Sequence, residues 1–174
     1  MSTRHQKFEI DLSDYSKEER EAIAIEVIER IVKRTKAGKD KDGEAFAKYS
    51  KAYKDSLNFK NAGKSSSVDL TLSGDMLDSI SILSNRGGKV VIGFEKDSEE
   101  NGKADGNIRG TYGQEKRVGP KRDFLGISEN ELDAILSKYP PDTAKSERRA
   151  VKVLTTRDVP DRLSGSVNVD DLED

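Results

Sequence analysis

The stretch SKEEREAIAIEVIERIVKRTK, Ser16 to Lys36, decides the fold class. Ser16 followed three residues later by Glu19 is a capping box: the hydroxyl accepts a backbone N–H of the first turn, and the glutamate reaches back to the serine N–H. Ile23, Val27, Ile28, Ile31 and Val32 recur at helical spacing and form one apolar stripe. Acids crowd the first turns (Glu18, Glu19, Glu21) and bases the last (Lys33, Arg34, Lys36), which complements the helix dipole. Gly38 supplies the stop.

Toward the N-terminus, Phe8, Ile10 and Leu12 alternate with charged residues, the period of a strand or extended arm. Toward the C-terminus, residues 39–67 are Gly-, Lys- and Ser-rich with Phe46, Tyr49, Tyr53 and Phe59 interspersed, and read as mostly irregular chain with room for a short helix over 47–57. Val68, Leu70 and Leu72 alternate, and Ser73-Gly74-Asp75 opens a helical turn carrying Met76, Leu77 and Ile80. Arg86-Gly87-Gly88 leads into Lys89–Glu95, where Val90-Val91-Ile92 is strand-prone. The Gly pair suits a tight turn of positive φ, so this region predicts a β-hairpin. Residues 96–120 read as a long polar loop with one helical turn at most, the kind of loop that is functional or ordered by a partner. Phe124, Leu125 and Ile127 predict a short strand. Ser128 and Glu131 form a second capping box, starting a helix with Leu132, Ile135 and Leu136 on one face and ended by Pro140-Pro141.

These elements predict an α+β fold: a small, mainly antiparallel sheet packed by a long N-terminal and a shorter C-terminal helix. The core is expected over residues 1–141, and the charged residues 142–174 as an extended tail draped over another subunit.

Of 174 residues, 37% are charged and 33% hydrophobic, a lean core that leaves some segments to be ordered by partners. The balance of 31 basic and 33 acidic residues, net −2, gives no global case for a nucleic-acid binder. The absence of cysteine excludes disulfides, thiolate metal sites and a cysteine nucleophile. No apolar run approaches the roughly 18 residues of a membrane span, and the first residues lack a signal-peptide core. The expectation is a soluble protein made in a cytoplasm.

Few motifs carry chemistry. Ala62-Gly63-Lys64-Ser65 mimics the end of a P-loop, but Asn58 stands where the first glycine belongs. Asp40-Lys41-Asp42-Gly43 mimics a calcium loop, but Gly38 and Tyr49 fall at its first and twelfth positions, where oxygen ligands belong. His5, the one histidine, falls in a segment expected to be mobile and has no evident catalytic or metal partners. The 33 acidic residues offer many carboxylate pairs, none in an aromatic sugar-binding setting.

The best candidate surface is basic. From residue 33 to 64 there are ten cations (Lys33, Arg34, Lys36, Lys39, Lys41, then Lys48, Lys51, Lys54, Lys60 and Lys64) against Asp40, Asp42, Glu44 and Asp55. Positioned lysines and arginines are all that phosphate contact needs. Such a run serves equally as a solvated surface or a protein-contact loop.

Two stretches carry a resemblance. Val68–Ile80 contains Leu72-Ser73-Gly74, then Leu77 and Ile80, and Arg122-Asp123-Phe124-Leu125-Gly126-Ile127-Ser128 precedes a short helix. Together with the leading helix, the Lys41–Tyr53 stretch and Gly110-Thr111-Tyr112-Gly113, this ordered set resembles the virion morphogenesis family of tailed bacteriophages, over about residues 8–139. It departs from the family at Asn107-Ile108-Arg109, where a histidine is usual. The resemblance implies a structural subunit of the neck or tail-completion ring, with no active site and no cofactor. It implies a ring of six or twelve copies, adjacent portal, adaptor or tail proteins, packaged DNA passing through the channel, and no membrane. Residence would be in the virion after synthesis in the host cytoplasm. Independently of the family, Phe124, Leu125 and Ile127 read as core anchors, Gly126 as a bend or close approach, and Ser128 as a cap. The alternative is a cytoplasmic nucleic-acid-binding or regulatory protein using the basic 33–64 stretch.

Overall fold

A computed structural model of the chain describes residues 3–61, 63, 67–71, 75–112, 117–140 and 153–154. Its elements are β1 (Lys7–Asp11), α1 (Lys17–Lys36), α2 (Lys51–Lys54), α3 (Leu57–Asn61), α4 (Asp75–Asp78), β2 (Ser81–Arg86), β3 (Lys89–Gly93), α5 (Glu99–Arg109), β4 (Thr111–Tyr112), β5 (Arg117–Val118), α6 (Glu129–Leu136) and β6 (Val153–Leu154). The fold is α+β, as expected. An antiparallel sheet of order β2-β3-β1-β6 is packed by α1, and β4 and β5 form a separate small hairpin.

The period-two alternation of β1 explains the layering. Phe8 stands opposite Ile92 and Ile10 opposite Val90, so these four side chains share one face of the sheet. The stripe of α1, Ile23, Val27 and Ile31, joins the same fully buried cluster. Each such aliphatic side chain contributes about 1.5–3 kcal/mol by leaving water. The capping box that starts α1 is closed: Glu19 N–H donates to Ser16 Oγ at 3.2 Å, and Ser16 N–H to Glu19 Oε2 at 2.8 Å. Both turn residues of the β2–β3 hairpin have positive φ, Gly87 at 59° and Gly88 at 76°, the condition of a primed two-residue turn. A Cβ on Gly88 would sit 2.9 Å from Ser13 Cα, so the turn also needs glycine for space. Leu12 N–H donates to Gly88 O at 2.8 Å and fixes the end of β1 against the turn.

Three expectations are corrected. Residues 96–120 are not a long loop with at most one helical turn, because they contain the eleven-residue α5. Ser98 caps it by accepting Asn101 N–H, and Gly110, at φ 69°, ends it. Phe124, Leu125 and Ile127 are buried but form no strand, since the carbonyls of this segment bond to a side chain instead of a ladder. The N-terminal segment is held in place: His5 Nε2 lies 2.6 Å from Phe94 O, and Phe94 N–H donates to Gln6 O at 3.1 Å. Lys64, Leu72, Ser73 and Gly74, and the expected tail apart from β6, lie outside the described residues.

Candidate functional site

Arg34 continues the apolar stripe of α1, three residues beyond Ile31, and so faces inward. It is not a partner- or DNA-facing residue as the basic run predicted; it is 7% exposed. One guanidinium nitrogen, Nη2, donates to Phe124 O at 2.9 Å and Gly126 O at 2.8 Å. The other, Nη1, is ion-paired and hydrogen-bonded to Glu131. Glu131 is also the third residue of α6 and closes that helix's capping box with Ser128. One arginine thus ties the end of α1 to the 122–128 segment and to the start of α6. A buried charge is stable only when paired and hydrogen-bonded in this way.

Neighbouring residues extend the same junction. Lys41 N–H donates to Asp123 O at 2.9 Å, and its ammonium lies 3.1 Å from Asp123 Oδ2. Lys41, another of the cations predicted to face a partner, is therefore engaged within the fold. Arg122 is buried, with its guanidinium carbon 5.1 Å from the Tyr49 ring centre and Nη2 donating to Ala47 O at 3.3 Å. Its backbone N–H donates to Asn107 O at 2.8 Å, joining α5. Phe124 meets Phe94 edge-on at 6.3 Å. Gly126 has φ 147°, a region L side chains rarely adopt, and a Cβ there would touch Lys41 Cδ at 3.4 Å. Leu77 and Ile80, from the other motif, are buried in the same core.

The remaining cations separate into two groups. Lys33, Lys36 and Lys39 are exposed near the end of α1. Lys33 and Lys36 border an open groove of about 520 Å³, floored by Ile28, Val32, Leu77 and Ile80, with Glu29 and Asp78 also on its rim. The second group lies on the α2–α3 flap, where Lys48, Lys51 and Lys60 are exposed and Lys54 is half-buried. None of these four forms an ion pair with a described residue.

The flap's aromatics are not free stacking platforms. Tyr49, Tyr53 and Phe59 pack against one another with ring centres 5.0, 5.6 and 5.4 Å apart. Burial pushes the Tyr49 phenol up, with Tyr53 and Asp69 adding to the shift, and burial also raises Tyr53. Ser50 caps α2, and Ser56 Oγ receives the Phe59 N–H at 3.3 Å. The flap therefore presents lysines from a backbone pinned by a small aromatic cluster.

The calcium-like Asp40–Gly43 stretch is a tight turn in which Asp40 Oδ1 accepts Asp42 N–H at 3.0 Å and Glu44 N–H at 2.9 Å. Sequence reasoning missed a latch between the N-terminus and α5. Gln6 N–H donates to Asn101 Oδ1 at 2.7 Å, Gln6 Nε2 to Asp105 Oδ1 at 2.7 Å, and Asn101 Nδ2 to Arg4 O at 3.1 Å. No local signal foretells contacts between residues so far apart in sequence. Among the described residues no three His, Cys, Asp or Glu side chains gather as a metal site, and no helix is long and apolar enough to cross a membrane. Comparison with family profiles, with curated proteins and with solved structures returns no match for this chain.

Proposed function

We propose that this chain is a non-enzymatic structural subunit of the tailed-phage head–tail junction, a neck or tail-completion ring that joins or seals head and tail. The observation that carries the reading is the Arg122–Ser128 junction. This segment bears the family likeness, and α1, the 41–49 chain, α5 and α6 are all tied to it. Residues so engaged mark kinship of fold more than chemistry, and they leave loops and surface lysines to meet neighbours. Those neighbours are further copies in a ring of six or twelve, and portal, adaptor or tail proteins. Quantifying the chain by mass spectrometry in purified phage particles from its source tests this. A small ring number of copies per particle is expected, and absence from particles overturns the reading.

A second reading, a cytoplasmic nucleic-acid-binding or regulatory protein, is favoured by the four unpaired lysines of the flap. It requires the isolated protein to bind DNA with an affinity that falls steeply with salt. Weak binding in isolation, with co-purification in particles, favours the ring subunit.

A further inference from the structure

α1 carries two apolar strips, and the fold buries one of them. Ile23, Val27 and Ile31 are buried in the core, where α1 packs on the sheet. Ile25, Ile28 and Val32 lie on another side of the helix: Ile25 is 48% exposed, and Ile28 and Val32 are half-buried. At about 100° per residue, Glu18, Val32 and Lys36 all fall within about 20° of the line through Ile25, with Glu21 and Ile28 flanking it. One border of this strip is Glu26, which accepts from Lys138 Nζ at 2.5 Å and Tyr139 Oη at 2.6 Å, just beyond α6. At the other border Ile28 and Val32 join Leu77 and Ile80 in flooring the open groove of about 520 Å³. Between these borders Glu18, Glu21, Ile25, Glu29 and Lys36 are exposed. The helix dipole accounts for acids at one end of α1 and bases at the other. It does not account for the apolar strip between them.

The strip is complementary to its own reverse. Positions equidistant from the point between Ile28 and Glu29 match apolar with apolar and acid with base: Ile25 with Val32, Glu21 with Lys36, Glu18 with Lys39. A two-fold contact has this property, because residue i meets j and j meets i. A partner of another sequence imposes no such symmetry. Glu29 and Lys33, one turn apart near the centre, bring no net charge there. Neither Glu21 nor Lys36 forms an ion pair with a described residue, so both are available to pair across the contact. At the shallow crossing of about 20° common between long helices, contact runs the length of the strip.

We propose that this outer strip of α1 is the two-fold interface of a homodimer, in which Ile25 packs against the partner's Val32 and Glu21 pairs with the partner's Lys36. The groove beside Ile28 is then covered by the second copy of α1. A ring of one chain is built from head-to-tail contacts, whereas a two-fold contact closes on itself. The dimer is thus a state of the chain outside the ring. Its test uses the purified chain alone, so it and the ring-subunit reading fail separately.

Glu21 and Lys36 lie about 22 Å apart along the helix, out of reach of each other within one chain. Charge reversal therefore isolates the pair between molecules. Sedimentation equilibrium of the full-length chain at about 100 μM, a concentration that detects micromolar affinity, is expected to show a dimer. Glu21→Lys alone and Lys36→Glu alone should each weaken it about tenfold, because each sets two like-charge pairs across the contact. Mixing the two variants, carrying tags of different mass, should restore a dimer of one copy of each, since two lysines on one helix then meet two glutamates on the other. A chain monomeric at this concentration overturns the proposal. So does a dimer indifferent to both reversals, or a mixture that recovers no heterodimer. Ile25→Glu should abolish association, and a dimer that survives it overturns the proposal as well.

Discussion

Arg34 and Lys51 belong to one continuous basic stretch of sequence, yet they have opposite fates. The Arg122–Ser128 junction takes Arg34 into the interior and engages its guanidinium with two carbonyls and a carboxylate. The α2–α3 flap leaves Lys51 and its exposed neighbours in water, above an aromatic cluster that touches the body through Tyr49, under the Arg122 guanidinium. Charge density along a sequence says little about a surface until the helical phase of each residue is known. Arg34 sits on the buried stripe of a long helix, whereas the flap helices are too short to have a buried face with room for a cation.

The largest effect expected from breaking this contrast is at the junction. Arg34→Ala leaves Glu131 and the two carbonyls without their partner and should cost about 3–5 kcal/mol in urea denaturation. Arg34→Lys should recover only part of this, because an ammonium lacks the planar fork. A loss no greater than that of a surface lysine would show that the junction is not what holds α6. Gly126→Ala should cost about 1–3 kcal/mol, the usual strain of a side chain in that backbone region.

On the flap, Tyr53→Ala removes two ring contacts, each worth about 0.5–1.5 kcal/mol beyond area burial. Tryptic cleavage at Lys51, Lys54 and Lys60 should quicken while the denaturation midpoint of the body moves little. Equal loss of body stability would join flap and junction into one cooperative unit. Tyrosine ionisation, followed by ultraviolet absorbance, sharpens the comparison further. Tyr49 and Tyr53 have folded pKa values raised by burial. Their contribution to stability is full below the ordinary phenol value and is lost as pH rises through the folded one. These two should therefore ionise late, and the flap should loosen in alkali as they do. The smallest effect is expected from Lys48, Lys51, Lys54 and Lys60 each changed to Glu, within about 0.5 kcal/mol per site. Any DNA binding by the isolated chain should fall in the same variants.

The parts of the fold legible in the sequence are those fixed locally. The capping boxes at Ser16–Glu19 and Ser128–Glu131 bracket α1 and α6, and Gly87-Gly88 marks the hairpin, because each is decided within four residues. α5 was obscured by its interior, where Gly102, Gly106, Asn101 and Asn107 all weaken a helix. Its boundary signals were present in Ser98, Glu99, Glu100, Arg109 and Gly110, and tertiary bonds from Gln6 to Asn101 and Asp105 help hold it. The Phe124–Ile127 pattern misled because a cluster of apolar residues reports burial, not pairing, and the carbonyls of Phe124 and Gly126 accept from Arg34. For the candidate surface, the ten cations were legible as a composition but not as a place. The spacing Ile23, Val27, Ile31, Arg34 already set one of them on the buried face.

The position of β1 in the sheet has a consequence for synthesis. The first strand of the chain pairs with β3, across more than 70 residues, and the segment before it is latched to α5. The β2–β3 hairpin and α1 are complete within local sequence, but the sheet cannot close until the ribosome has released residue 93, nor the latch until residue 105. Until then the apolar face of α1 lacks β2 and β3, the strands it packs against. Translation through the first hundred residues is thus the interval in which the nascent chain depends most on chaperones, and slowing it should favour aggregation more than slowing the remainder.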